Sequence, residues 1–221
     1  MAGTASDDGT LKRGLSFAYR LHRGSRGGST LVLLHGSGVD ETTLVPLARE
    51  IAPGATLVAV RGRVIQDDSR RWFTRITPTR FDQRSIRAEA ASFAVFVREA
   101  ALAEGFDPRE TVFLGYSNGA NLLSSVMLLH PGIVRRAALL RSMPVLDDVP
   151  PTRLDGSEAV VLAGARDETY GPYAPALTAL LAEHGAEVQS YVVPAGHEFG
   201  SADAKAVRKW LGKVEAKRPH A

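Results

Sequence analysis

The sequence predicts an α/β fold, a mostly parallel central sheet of about seven strands with helices on both faces. Short apolar runs alternate with longer stretches of helical periodicity along most of the 221 residues. Several of those runs are apolar at nearly every position, as strands covered on both sides must be. No repeat and no long linker interrupts the alternation. A single domain is therefore expected from residue 15 to 215, with polar tails at 1–14 and 216–221.

Taken in order, "SFAYRLH" (16–22) alternates polar and apolar side chains and suits an exposed edge strand. "TLVLLH" (30–35) and "ATLVAV" (55–60) read as buried strands, with a helix near 43–51 between them. Asp82 is placed to cap a helix that carries Ile86, Ala90, Phe93, Val97 and Ala101 on one face and stops near Gly105. The strand "TVFLG" (111–115) turns sharply into a helix from Asn118 onward, whose "NLLSSVMLLH" (121–130) is apolar almost all round and suits burial against the sheet. Strands "RAALLR" (136–141), "EAVVLAG" (158–164) and "EVQSYVV" (187–193) complete the sheet, with helices at 172–185 and 201–214. No insert between 141 and 158 is long enough to build a large lid domain. In sheets of this kind ligands bind beyond the carboxyl ends of the strands.

Composition narrows the function classes. Apolar residues make up 44% and charged residues 23%, the balance of a soluble globular domain. Cysteine is absent, which excludes a cysteine nucleophile, a disulfide framework and thiolate metal sites. No apolar run approaches the roughly 18–20 residues of a membrane span. The polar amino-terminal stretch has no apolar signal core, so a cytoplasmic location without membrane insertion is the expectation. Net charge is only +3. Arg61, Arg63, Arg70, Arg71, Arg75, Arg80, Arg84 and Arg87 nonetheless cluster in one segment with three aspartates. Too few aromatics interleave with them for a nucleic-acid groove. They read as a solvated face with local ion pairs, or as a means of orienting an acidic substrate. The oligomeric state is left open, a homodimer included.

The segment "TVFLGYSNGA" (111–120) holds Ser117 in a Gly-x-Ser-x-Gly pattern. The pattern alone is weak, but its place between a strand and a helix is the setting of a nucleophile elbow. Gly115, Gly119 and Ala120 supply the small flanks that so sharp a turn needs. A serine hydroxyl requires a base, and a histidine base requires a carboxylate to orient it. His197, in "VVPAGHEFG" just past the last strand, is the expected base; His22, His130, His184 and His220 read as surface or terminal residues. Asp167, directly after the penultimate strand in "VVLAGARDE", is the expected acid, with Glu168 as the alternative one position on. Asp147, Asp148 and Asp155 do not follow a strand directly and read as solvated. The order Ser, Asp, His is that of an α/β-hydrolase, which refines the fold expectation. An oxyanion hole is expected from the amides of Asn118 and Ser37, the latter in "LLHGSGVDE" (33–41) after an earlier strand. His35 is expected to pack and to hold this turn. No histidine or carboxylate pair has metal-ligand spacing, so no metal is expected.

Together "LLHGSGVDETTLVPLAREIAPGATLVAVRGRV", "RRWFTR", "RFD", "GFDPRETVFLGYSNGANLLSSVMLLHP" and "GHEFG" resemble the phospholipase/carboxylesterase family of small α/β-hydrolases. Within it, the likeness is to the bacterial esterase branch that includes hydroquinone-associated hydrolases, and it spans about Leu31 to Trp210. The resemblance implies hydrolysis of carboxylic esters, extending to thioesters or lysophospholipids, on small-molecule substrates and with no cofactor. It assigns the triad to Ser117, Asp167 and His197 and the oxyanion amides to Ser37 and Asn118. It also places Arg71, Trp72 and Phe73 near the pocket. After the acid the chain reads "DETYGPY" where family members usually continue into an apolar-proline stretch, so Tyr170 is expected to reshape the entrance. Met143, Trp72, Phe73 and Tyr170 are candidates to line the acyl pocket, ordinary core packing being the alternative for each.

Overall fold

A computed structural model of the protein describes residues 9–216. Its main sheet starts with β1 (Leu11–Lys12), β2 (Tyr19–His22), β3 (Thr30–Leu34) and, after helix α1 (Val45–Ile51), β4 (Thr56–Val60). Two small hairpins follow, β5 (Val64–Gln66) with β6 (Ser69–Arg71) and β7 (Arg75–Thr77) with β8 (Arg80–Phe81). Then come α2 (Gln83–Glu104), β9 (Val112–Tyr116), α3 (Asn118–Leu129), β10 (Arg136–Leu140) and β11 (Glu158–Gly164). A short 3₁₀ turn at Gly171–Tyr173 leads into α4 (Ala174–Glu183), and β12 (Glu187–Val193) and α5 (Ser201–Ala216) close the described chain.

The sheet has eight strands in the order β1-β2-β4-β3-β9-β10-β11-β12. All neighbours from β4 to β12 run parallel, and β2 pairs antiparallel with both β1 and β4. This is an α/β-hydrolase fold with no large extra domain. One core layer packs α2, α3 and α4 against one sheet face around Phe93, Phe113, Leu123 and Leu177. The other packs α1 and α5 against the opposite face around Leu47, Leu114, Val207 and Trp210. No helix among the described residues is long and apolar enough to cross a membrane.

The local signals explain the helix bounds. The Asp82 carboxylate accepts the Ser85 N–H at 2.7 Å as N-cap of α2, and Gly105 ends the helix at φ 76°. Three expectations need correction. The edge assignment of 16–22 fails, because Leu11 and Lys12 add a strand outside β2 and leave Tyr19, Leu21 and His22 buried. Those two residues also fall in the expected 1–14 tail, while residues 1–8, and His220 with the rest of 217–221, lie outside the described residues. The hairpins between β4 and α2 leave no mark in the sequence, since strands of two or three residues carry no readable alternation. Asp67 and Asp68, both at positive φ, form the two-residue turn of the first hairpin.

The chain runs from β3 to β4 toward one edge and then crosses to β9 and on toward the other. The crevice between the carboxyl ends of β3 and β9 is therefore a topological switch point. Ser117 and the "HGSG" turn lie there.

Candidate active site

Ser117 joins β9 to α3 with φ 51° and ψ −116°, a conformation that a non-glycine residue adopts only under constraint from its surroundings. Its N–H continues the sheet ladder to the Leu140 carbonyl at 2.8 Å, and its carbonyl accepts the Asn121 N–H at 2.9 Å as the helix begins. The first turn of α3 presses on the end of β3. A Cβ on Gly119 would stand 2.3 Å from the Leu34 carbonyl oxygen, so only glycine fits.

Asp167 leaves β11 in a tight turn and is buried. Its Oδ2 lies 2.7 Å from His197 Nδ1, and its Oδ1 accepts the Tyr170 N–H at 3.0 Å. A carboxylate facing Nδ1 fixes the proton there. Nε2 is left as an acceptor, and Ser117 Oγ lies 3.1 Å from it. The neighbouring Glu168 is exposed and takes no part in this chain of contacts. Asp147, Asp148 and Asp155 are exposed too.

Loop 194–200, which carries His197, is fastened by a residue that in the sequence marks only the end of a strand. Arg141 follows β10 at φ 53°. It donates from Nε to the Gly196 carbonyl at 2.9 Å and from Nη2 to the Glu198 carbonyl at 2.7 Å. Asp203 on α5 balances its charge at 2.8 Å, and both side chains are wholly buried. The guanidinium thus grips the loop on each side of His197. Tyr116 adds a hydrogen bond from its hydroxyl to the His197 carbonyl at 3.1 Å.

No family model matches the chain. A carboxylesterase structure from Mesorhizobium loti is 60% identical, covers 93% of this chain and 99% of its own, and superposes with a TM-score of 0.89. A carboxylesterase structure from Bacillus cereus is 27% identical over 90% of this chain and 94% of its own, with a TM-score of 0.85. The Bacillus subtilis (strain 168) protein MhqD, named as a hydrolase, is 29% identical over 183 residues, 82% of this chain and 92% of MhqD. The chain belongs to the carboxylesterase family of small α/β-hydrolases.

In this carboxylesterase the opposite wall of the site is the turn after β3. Buried His35 spans it, with Nδ1 2.6 Å from the Gly36 carbonyl and Nε2 accepting the Gly62 N–H at 3.0 Å. Burial lowers its pKa, and with both ring nitrogens already engaged the ring holds the turn and has no free nitrogen to act as a base. Glu41, also buried, ties the end of this loop to Arg20 on β2 and to Arg61 beyond β4. Arg71 donates to Ser37 Oγ at 3.0 Å. Among the described residues, no acceptor within the protein takes the amide N–H of Ser37 or of Asn118. The Asn118 side chain is engaged instead, accepting the Trp72 N–H at 2.8 Å.

The narrow, half-open cleft over Ser117 is lined by Ser37, Arg75, Pro78, Phe81, Asn121 and Tyr170. Tyr170 stands here with its ring centroid 4.8 Å from that of His197. Arg71, Trp72, Phe73 and Met143 do not line it, Arg71 meeting it only through its hydrogen bond to Ser37 Oγ. Trp72 and Phe73 are fully buried, and Met143 nearly so, beneath the site in the core. Trp72 is held there by donating from its indole to the His35 carbonyl at 2.8 Å. Phe81 and Arg75 take their place because the second hairpin, which sequence periodicity did not show, folds over the elbow. A larger hollow of about 300 Å³ near Ser29, Glu110 and Arg136 lies at the amino ends of the strands, away from this chemistry.

Proposed function

We propose that this enzyme hydrolyses small carboxylic esters, with short acyl or aryl groups, through Ser117 as nucleophile, His197 as base and Asp167 as the orienting acid. The observation that carries the reading is the unbroken contact from Asp167 Oδ2 through the imidazole to Ser117 Oγ, at 2.7 and 3.1 Å. His197 Nε2 takes the hydroxyl proton as Oγ attacks the acyl carbon. The amides of Ser37 and Asn118 hold the tetrahedral oxyanion, each donor worth roughly 3–4 kcal/mol in comparable sites. His197 then returns the proton to the leaving alcohol, and water repeats the sequence on the acyl-enzyme. The narrow cleft over Ser117 supports a short acyl group. So does the stretch between β10 and β11, which holds no helix that could form a lid.

Reaction with a fluorophosphonate probe beside turnover of p-nitrophenyl acetate tests the chemistry. Wild type is expected to label and to turn over, and Ser117→Ala to do neither. Equal turnover by the mutant would sink the serine-hydrolase reading. A series of acyl esters and thioesters of rising chain length tests the substrate class: a preference for long acyl thioesters would favour a thioesterase or lysophospholipase on the same machinery.

A further inference from the structure

Arg80 and Arg84 are exposed, and the other arginines of residues 61–87 divide into two sets. Away from the cleft, Arg61 pairs with Glu41, Arg63 with Glu89 and Arg87 with Asp148, and Arg70 donates to the Gly62 carbonyl. At the cleft the pattern changes. Arg71 is only 5% exposed, yet no carboxylate among the described residues forms an ion pair with it. One N–H group reaches Ser37 Oγ, and the buried Nε has no acceptor among the described residues. Arg75 lines the cleft beside Ser117 and Tyr170, also without an acidic partner among those residues. Asp67, in the turn of the first hairpin, acts on Arg71 only from beyond ion-pair distance.

A buried cation without a partner is costly and is ordinarily paired. Here Arg71 is such a cation behind Ser37, and half-buried Arg75 lines the adjoining cleft. Burial and the charge of Arg75 both work to lower the pKa of Arg71, which marks the place as short of negative charge. The planar fork of arginine is matched to a carboxylate. Two such groups at a low-dielectric cleft also concentrate anions there. Surface solvation accounts for neither the burial of Arg71 nor its unpaired, buried Nε.

We propose that Arg71 and Arg75 form a carboxylate-binding subsite, and that the ester this enzyme turns over carries a carboxylate within a side-chain length of its scissile carbonyl. This rests on the serine-esterase reading and adds the chemical class of its substrate. Half-esters of dicarboxylic acids and esters of hydroxy or phenolic acids are the compounds that meet the description.

The test uses esters that differ only in a carboxylate against its isosteric carboxamide. Monoethyl glutarate against its carboxamide puts the charge on the acyl side. Acetoxybenzoate against acetoxybenzamide puts it on the alcohol side. In at least one pair the anion is expected to have a kcat/KM about tenfold higher, the scale of one charge-assisted contact. That ratio should shrink with ionic strength and fall toward unity in Arg75→Gln, chiefly through KM. Arg71→Gln should lower it as well, and Arg71→Lys should restore part of it. If Arg71 only holds Ser37, its loss would slow both members of a pair alike, and its part in the subsite would be overturned. Calorimetric binding of the same pairs to Ser117→Ala separates this inference from the catalytic reading, since it requires no turnover. Equal affinities for anion and carboxamide, or a preference that Arg75→Gln leaves intact, would overturn the subsite whichever residue attacks the ester.

Discussion

Asp167 is worth more to the proposed mechanism through one proton than through its charge. Its Oδ2 accepts from His197 Nδ1, so Nε2 faces Ser117 as an acceptor. Asp167→Asn keeps the shape but can present an N–H to Nδ1, which moves the imidazole proton to Nε2 and leaves no base. A fall in kcat of about 10⁴ is expected with little change in KM, read from steady-state kinetics on p-nitrophenyl acetate. A loss below tenfold would point to another acid. Tyr170 allows the opposite kind of test. Its hydroxyl makes only a long contact of 3.4 Å with the Pro78 carbonyl, while its ring covers His197 and narrows the cleft. Tyr170→Phe should therefore be close to neutral. Tyr170→Ala should shift the optimum in a chain-length series toward longer acyl groups, since the backbone N–H that holds Asp167 remains.

At the scale of elements, the site depends on how loops at the carboxyl ends of β3, β9, β11 and β12 are held against one another. Arg141 and Asp203 join the end of β10 to α5 and, through the Gly196 and Glu198 carbonyls, fix the loop of His197. Removing one partner of a wholly buried pair leaves the other uncompensated, so Asp203→Asn is expected to cost about 3–5 kcal/mol of stability in urea unfolding. Catalysis at a temperature where the mutant is folded should fall as well, because the grip on the His197 loop loosens. Much of this scale was legible in the sequence. The main strands from 30 onward, the capped helix after Asp82 and the strand–turn–helix at Ser117 each announce themselves by periodicity or by a cap. Arg141 was not legible: nothing local distinguishes an arginine that ends a strand in solvent from one whose partner is sixty residues away. The second hairpin failed for the related reason that its strands are too short for a period. The pocket therefore changed owners, from Trp72, Phe73 and Met143 to Phe81 and Arg75.

For the molecule as a whole, the antiparallel side of the sheet carries its own electrostatic condition. Glu41 is buried where the β3 loop, β2 and the end of β4 meet, and it receives both Arg20 and Arg61 at 2.6–2.7 Å. Burial alone would raise its pKa, but hydrogen bonds from Arg61, its own backbone and Arg20 outweigh that and hold it at about 2 against an ordinary 4.5. A carboxyl depressed in the folded state contributes stability that is fully present above the unfolded value and is lost as pH falls through the folded one. The window here runs from about pH 4.5 down to about 2. Over it the wild type should lose on the order of 3 kcal/mol through this group. Glu41→Gln, which cannot titrate, should be less stable at neutral pH and should converge with the wild type as pH falls across the window. Both would be measured by urea unfolding at a series of pH values. Parallel curves, with a constant gap from pH 7 to the acid limit, would mean that Glu41 acts by packing alone. Convergence would show that one carboxylate ties the loop of the proposed oxyanion site to the sheet through its charge.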